Sequence, residues 1–467
     1  MVTPPVQPGR PATALPVQRA APKPAERAVA RLRGAADTAP GRLRLASVVL
    51  AVLVLAFGAL TAWQVSSRAT AAGQVFSHSE PLSQDAAEIY RSLADADTTA
   101  AGGFLLAGDA PQAVRDRYQN DLTTAGRLLT EAAARTGPSS GAQRWVTQLN
   151  QDLPQYAGLV ETARANDRQG LPLGGAYLRY ASNTMQDTML PAAQQLVDVE
   201  SRQLDADYAD ARSFPWAAAG LGVVTLAGLI RCQLLLRRRT NRVFNLGLLG
   251  ATASVLAALV WLTSGTVSGS ADLSASRSHG ALPLRALDQA RTEALQSRAA
   301  ENLDLVARGA TDSYTKRWAT VTALLAGPPT VDGKSRTKGG MLDQARAGAP
   351  GEAGADLTQA KAQFAVWDTW HRTAAASNDA GDYNTALTDT IGSTGSNGTG
   401  TNSSDSAFNA MDQQLAKAAV VEQAAFRSAA QGVDGSLGIL AAGAALLAAL
   451  ATAGVLVGLG RRLAEYR

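Results

Sequence analysis

The chain has 467 residues and a formal net charge of +4, and 46% of its residues are hydrophobic whereas only 18% are charged. One cysteine and three histidines exclude a disulfide framework and a cysteine-based zinc or iron–sulfur centre, and they leave almost no ligands for another metal site. The apolar residues are concentrated in four long runs, which indicates a membrane protein.

The N-terminal segment, residues 1–44, is rich in proline, alanine and arginine and has no apolar periodicity, which predicts a disordered tail. The first apolar run, 45–63, contains no charged residue. A small-residue motif at Ala69-Thr70-Ala71 is typical of a cleavage site, but the tail and the run are both long for a signal peptide. We therefore expect an uncleaved membrane anchor.

The other three apolar runs are 214–236, 243–263 and 435–460. A helix rises about 1.5 Å per residue and needs about 20 residues to cross a hydrocarbon core, so each run is long enough to span a membrane. The second run contains Arg231, which must then lie near the membrane surface.

The charges predict the orientation of these spans. The tail, the hinge 237–242 and the C-terminal segment 461–467, together with Arg231, carry sixteen basic and three acidic residues. The long segments 64–213 and 264–434 carry twelve and fifteen basic residues against eighteen acids each. Positive-inside bias places both termini and the hinge in the cytoplasm of a plasma-membrane protein and the long segments outside. The cytoplasmic anchors are then Arg231, Arg237, Arg238, Arg239, Arg242, Arg461 and Arg462. The basic isoelectric point thus reflects topology, and we expect no nucleic-acid binding.

The two long segments resemble copies of one unit. Ser77-His78 matches Ser278-His279 at an offset of 201, and Asn183-Thr184-Met185 matches Asn409-Ala410-Met411 at an offset of 226. The offset grows across two loop insertions, 327–340 and 392–404. Ordered offsets of this kind favour a tandem duplication.

Each segment has a helical pattern. Apolar residues from Leu82 to Ala100 follow steps of three and four, and Met185 to Ala206 follow a similar stripe. Shorter helices are predicted at 111–136 and 141–168, and strand patterns are nearly absent. The predicted fold class is an all-α membrane protein with four transmembrane helices and two extracytoplasmic antiparallel four-helix bundles.

No catalytic set is recognisable in the sequence. The three histidines have no neighbouring nucleophile, and no phosphate-binding loop, dinucleotide fingerprint or metalloprotease motif is present. The interior of the spans contains no Asp, Glu, Lys or His, which argues against an ion-coupled transporter. We therefore expect no enzymatic activity, no cofactor and no metal site. Because seven residues follow the last span, we expect no attached output domain.

Two groups of residues are candidates for contacts, one with a partner protein and the other between membrane-spanning helices. Phe364, Trp367, Trp370 and His371 form a dense aromatic group, and Tyr156 aligns with Trp367 in the first segment. Core packing and an exposed partner-docking patch both remain open for this group. Gly454 and Gly458 form a small-xxx-small pair, which favours close packing of the fourth span against another helix.

The span layout over about 42–467, in a chain rich in alanine, arginine and glycine, resembles the GlnX-type actinobacterial membrane signalling proteins with tandem extracytoplasmic bundles. The resemblance is architectural and carries over no functional residue. It implies amino-acid sensing, in which a solute-binding lipoprotein docks outside and a cytosolic Ser/Thr kinase reads the signal inside.

The sequence leaves other functions open. A structural or scaffolding protein of the envelope and an accessory subunit of a transport complex fit the same layout, and so does a homo-oligomer. Because the two segments are poor in convergent polar groups, we expect ligand specificity to reside in a separate binding protein.

Overall fold

Our structure of the chain is a computed structural model, and it describes residues 39–106, 110–137, 140–240, 245–308, 312–330, 336–349, 351–392 and 402–464. These residues are almost entirely helical, and the β-type pairing within them is limited to an isolated bridge between Pro329 and Arg336. The predicted all-helical class is confirmed for the described part of the chain.

The helices follow one another with short connections. In chain order they are α1 (Ala39–Gln74), α2 (Glu80–Phe104), α3 (Gln112–Arg135), α4 (Gln143–Arg168), α5 (Leu173–Thr184), α6 (Leu190–Arg212), α7 (Trp216–Thr240), α8 (Leu246–Ser276), α9 (Leu282–Ala307), α10 (Ser313–Ala326), α11 (Met341–Gly348), α12 (Glu352–Asp379), α13 (Tyr383–Ile391) and α14 (Ser404–Ala464).

Three π-helical turns interrupt the longer helices, at Val75–Ser79, Met185–Met189 and Arg277–Ala281. Each of them is followed by an α-helix with a proline in its first two positions, namely Pro81, Pro191 and Pro283. Proline has no N–H to donate, and its ring crowds the carbonyl one turn earlier, so the preceding turn widens without ending the helix. Two of these turns contain the Ser-His pairs that the sequence aligns.

The apolar runs pack together in one compact unit, which comprises Met1–Leu60, Ala217–Val260 and Ala444–Arg467. All four runs contribute to its core, through Leu50, Val54, Phe57, Leu229, Leu248, Ala251, Val255, Ala258, Ala451 and Val455. Its outer surface is apolar as well, since Val52, Leu246 and Leu446 are exposed by 57%, 85% and 65%. A bundle that is apolar inside and outside suits a lipid environment, because a bundle in water turns polar residues outward.

Three helical stretches are long and apolar enough to cross a membrane, namely Arg44–Phe104, Leu173–Arg238 and Leu246–Ser276. The fourth run contributes a shorter apolar helix, Ala445–Gly458, and the side chains of residues 429–441 before it lie outside the described part. These helices support the prediction of a membrane protein.

The segments between the apolar runs form a second compact unit, Thr61–Trp216 and Trp261–Gly443. Helix α2 packs against α3 and α6 of its own segment and also against α9 of the other segment. One hydrophobic core contains Ile89 and Leu149 from the first segment together with Leu287, Phe364 and Leu415 from the second. The two segments therefore share a single core, where the sequence predicts two bundles.

Polar contacts set the register between α2 and α9. The Thr98 hydroxyl donates to the carbonyl oxygen of Leu295 at 2.9 Å, and the Asn302 amide donates to the carbonyl of Thr98 at 3.4 Å. Gly102 lies against Asn302, where a Cβ atom would come within 3.1 Å of the amide nitrogen. The missing side chain lets the two helices approach closely, and the buried hydrogen bonds favour one alignment over a sliding one.

Candidate functional site

The predicted aromatic docking group lies mostly in the core. Trp367 and Tyr156 are fully buried and Phe364 is 2% exposed, whereas Trp370 and His371 are half-buried. The Trp367 ring packs edge-on against Trp318, with 4.9 Å between ring centroids. Phe364, Trp367 and Tyr156 are thus core residues and are not accessible to a docking partner, because α12 turns this face toward the centre of the unit.

The buried aromatic side chains surround an ion pair. Arg298 and Glu301, one turn apart on α9, are only 2% and 3% exposed. The guanidinium donates to Glu301 at 2.5 Å and to Asp405, at the start of α14, at 3.0 Å. The Trp367 indole N–H donates to Glu301 Oε2 at 3.0 Å, and the Ser404 hydroxyl donates to Oε1 at 2.5 Å. Glu301 therefore joins α9, α12 and α14.

Glu301 also contacts His371, whose Nδ1 lies 3.1 Å from Oε1. The His371 ring stacks on Trp318 at a centroid distance of 3.6 Å, which fixes the orientation of the imidazole. Burial alone would raise the pKa of Glu301, but Arg298, His371 and Ser404 outweigh it and lower the pKa to about 2. Glu301 is therefore a permanent carboxylate within this network.

The first segment contains a second buried carboxylate, Asp97 on α2, which is 1% exposed. It accepts hydrogen bonds from Gln186 at 2.7 Å, from Ser182 at 2.9 Å and from Tyr156 at 3.3 Å. All three donors are neutral, and the positive charge of Arg317 also favours the ionised form of Asp97. Burial raises the pKa of Asp97 to about 6 because the hydrogen bonds offset only part of the lost hydration.

The two carboxylates have related surroundings. Each lies on the first long helix of its segment and accepts a hydrogen bond from an aromatic side chain, Tyr156 or Trp367, at the positions that the sequence aligns. Each is also bonded to a hydroxyl, Ser182 or Ser404. They differ in charge balance, since Glu301 pairs with Arg298 and Asp97 has no ion pair among the described residues.

Two arginines that align at an offset of 200, Arg117 and Arg317, connect the segments. Arg117 on α3 binds Asp95 at 2.9 Å and lies 3.8 Å from Asp412 on α14 of the other segment. Arg317 on α10 donates to Gln186 in the first segment and lies 3.4 Å from Asp187. At an offset of 226, Gln186 and Asp412 are themselves aligned. Each arginine thus reaches the corresponding turn of the opposite segment.

Sequence reasoning missed Asp97, Arg298 and Glu301. One sequence feature could have indicated the two carboxylates, namely an acidic residue directly beside a residue of the apolar stripe. Asp97 follows Ala96 directly, and Glu301 follows Ala300. Such positions face solvent in an isolated bundle, whereas here the packing of α2 on α9 and of α12 on its neighbours covers them.

The predicted cytoplasmic anchors are described in part. The side chains of Arg231, Arg237 and Arg238 are exposed at the end of α7, as basic residues at a membrane surface would be. The side chains of Arg239, Arg461 and Arg462, and the whole of Arg242, lie outside the described residues.

Gly454 and Gly458 lie against Gly247 on α8. A Cβ atom at Gly247 would come within 2.4 Å of the Gly458 Cα and 2.6 Å of the Gly454 carbonyl oxygen. The Asn245 amide donates to the Gly458 carbonyl at 2.7 Å. The third and fourth apolar segments therefore pack backbone against backbone at this point.

Among the described residues, no three His, Cys, Asp or Glu side chains are grouped so that they could share a metal ion.

Residues 71–209 match the family model of an actinobacterial sensor domain. No curated protein and no solved structure matches the chain significantly. The matched range includes α2 to α5 and most of α6, and therefore Asp97 and its hydrogen-bond donors. It supports a sensor-type actinobacterial protein with a role in sensing or signalling.

Proposed function

We propose that the chain is a non-enzymatic transmembrane signal relay. The observation that carries this proposal is the sensor-domain match over residues 71–209, in a chain that also has helices long and apolar enough to cross a membrane. In this proposal four helices span the plasma membrane, both termini are cytoplasmic, and the unit Thr61–Trp216 and Trp261–Gly443 lies outside. The common core of the four apolar runs supports the fourth span.

The two outer segments arose, in this proposal, by tandem duplication of one helical bundle. Three pairs of aligned features support it: the π-helical turns at Val75–Ser79 and Arg277–Ala281, the carboxylate-binding residues Tyr156 and Trp367, and the crossing arginines Arg117 and Arg317. The second segment then acts as an internal partner for the first.

The partners follow from the resemblance to GlnX-type proteins. An amino-acid-binding lipoprotein docks on the outer unit, and a cytosolic Ser/Thr kinase responds inside. Because Trp367 and Tyr156 are buried, we place the docking surface on α5, whose Leu173 and Tyr180 are exposed by 58% and 62% and share one face with the exposed Tyr177. Exposed tyrosines are frequent centres of binding energy in protein interfaces. This face belongs to the matched sensor range.

A relay requires that docking favours one of two helix packings. Helices α1, α8 and α14 contribute residues to both compact units, and in this proposal they carry the change from the outer unit to the apolar one. A partner that binds one packing better by a few kcal/mol shifts the population substantially.

Co-purification tests the proposal. The full chain, solubilised from actinobacterial membranes in detergent, should retain a solute-binding lipoprotein and a Ser/Thr kinase. Tyr177→Ala with Tyr180→Ala should lose the lipoprotein and keep the kinase. Leu324→Ala with Val366→Ala, which changes exposed apolar residues of the other segment, is the matched control. Recovery of envelope or transport components without either partner would instead support the scaffolding or accessory-subunit function.

A further inference from the structure

A cavity of about 160 Å³, with a mainly apolar lining that also contains charged side chains, lies between α2, α6 and α9. Both segments contribute to it, since α2 and α6 belong to the first and α9 to the second. One end is lined by Glu80 and Ala281, and the other by Tyr90 and Thr292. The sequence predicts no such site, because its polar groups come together only when the two segments share a core.

The cavity lining has an excess of negative charge. Glu80, Asp198 and Asp288 contribute carboxyl groups, whereas Arg285 is the single cation among the lining residues. The two terminal nitrogens of Arg285 are already engaged, since one binds Asp205 at 3.3 Å and the other donates to the Ser201 carbonyl at 3.4 Å. Its described ion pair is with Asp205, which is not a lining residue, and one arginine stands against three carboxyl groups in the lining.

Among the lining carboxyl groups, Asp288 has neither a hydrogen bond nor an ion pair to a described residue. It is half-buried. The cations near it, Arg91 and Arg291, lie within 4.0 Å of other carboxylates: Arg91 contacts Glu88 and Asp95, and Arg291 contacts Asp412. Half-buried carboxylates of this kind are favourable partners for an external cation.

Glu80 is the second anchoring group. It is 8% exposed and accepts a hydrogen bond from Gln84. Burial raises the pKa of Glu80 to about 7, with Arg427 opposing and Asp85 reinforcing the rise. Burial likewise raises the pKa of Asp288 to about 7, with Arg291 and Arg91 opposing and Glu88 reinforcing it. A bound cation would favour the ionised form of both groups.

The spacing of these groups selects the kind of cation. The hydrogen bonds of Thr98 with Leu295 and Asn302 align α2 with α9 so that Glu80 is level with the start of α9, near Ala281. Asp288 is seven residues beyond Ala281, which is about 10 Å at 1.5 Å per residue. That separation is too long for one metal ion, in agreement with the lack of a metal-ligand cluster among the described residues. Between the two ends the walls include Val197, Leu204 and Leu284, which suit a short methylene chain.

We propose that this cavity binds a small linear diamine, with one ammonium group at Asp288 and the other at Glu80. A free amino acid fits less well, because its carboxylate would enter a lining that has three carboxyl groups and one arginine, both of whose terminal nitrogens are already bonded. The site goes beyond the proposed relay, since it supplies a direct chemical input to the outer unit and depends on neither the lipoprotein nor the kinase.

Isothermal titration calorimetry with 1,4-diaminobutane, on the detergent-solubilised full chain at pH 8 and low salt, tests the site. We expect one molecule bound per chain. Asp288→Asn should weaken binding by about tenfold or more, because a charge-assisted contact is lost. Asp116→Asn, which changes an exposed aspartate on α3, is the matched control and should leave the affinity unchanged. Affinity should fall from pH 8 to pH 6, as Asp288 and Glu80 become protonated.

Two ligand controls separate this site from other binding. The uncharged 1,4-butanediol and the acidic glutamate should give no binding heat. Glu80→Gln provides a second variant. It should weaken the binding of 1,4-diaminobutane until its affinity is close to that of a monoamine of equal length, because one of the two charged contacts is lost. Lack of diamine binding by the folded wild-type chain, or equal affinity in Asp288→Asn, would overturn the proposal. Loss of lipoprotein capture with diamine binding intact would refute the relay alone.

Discussion

Removal of the Glu301 carboxylate tests the buried network of the second segment. In Glu301→Ala the fully buried Trp367 loses the acceptor of its indole N–H, and Arg298 keeps only Asp405, Ser404 and the Thr390 carbonyl. Breaking a buried ion pair from one side costs about 3–5 kcal/mol, because the remaining charge stays desolvated. We expect a loss of that size in the free energy of unfolding.

Thermal unfolding of the detergent-solubilised protein, followed by circular dichroism, measures this loss. At about 2–3 °C per kcal/mol for a large unit, the midpoint should fall by about 6–15 °C. The matched control is Glu161→Ala, which breaks the pair with Arg164 at 2.9 Å where Glu161 is 51% exposed. A surface pair of this kind contributes about 0–1 kcal/mol.

A double variant distinguishes a lost ion pair from a cavity. Arg298→Met with Glu301→Leu removes both charges and keeps most of the side-chain volume, so it should unfold at a higher temperature than Glu301→Ala. If Glu301→Ala unfolds within about 2 °C of Glu161→Ala, the network does not stabilise the fold and our reasoning about the buried pair is wrong.

The remaining predictions concern pH, the apolar helices and topology. Because the pKa of Asp97 is raised from 3.8 to about 6 in the folded state, folding takes up a proton between these pH values, so the contribution of Asp97 to stability is most favourable below pH 3.8 and falls as the pH rises to about 6. Asp97→Asn should remove this dependence, and its stability relative to wild type should increase by on the order of 3 kcal/mol between pH 4 and pH 8; parallel pH profiles would contradict it. Gly458→Leu should lower the unfolding midpoint of the unit that the apolar runs form, since a Cβ there would meet the Leu248 nitrogen at 2.9 Å; an unchanged midpoint would show that the backbone contact is unimportant. Reporter fusions at Gly137 and Gly381 should score outside and one at Thr240 inside, and an inside score at Gly381 would overturn the four-span topology.

Local helical patterns predict the connections closely. The expected stretches 111–136 and 141–168 correspond to α3 at Gln112–Arg135 and α4 at Gln143–Arg168. The insertion 392–404 lies between the end of α13 at Ile391 and the start of α14 at Ser404. These boundaries depend on glycine, proline and apolar periodicity, which are readable within a short stretch of chain.

The burial of particular side chains was not readable in this way. The sequence does not determine whether Trp367 is buried or exposed, because its helix α12 has apolar residues on more than one face. Its burial depends on α9 and α14, which lie more than 30 residues away in the chain. The cavity beside Asp288 likewise depends on the pairing of α2 with α9, and no local pattern indicates that pairing.

The relay itself is tested most directly by phosphorylation inside the cell. Substrates of the cytosolic kinase are quantified before and after glutamate is added outside, in cells with the wild-type chain, in cells without it, and in cells with Tyr177→Ala and Tyr180→Ala. Our account predicts a rise in phosphorylation that needs both the chain and the two tyrosines. An equal rise in cells that lack the chain would contradict the proposed relay.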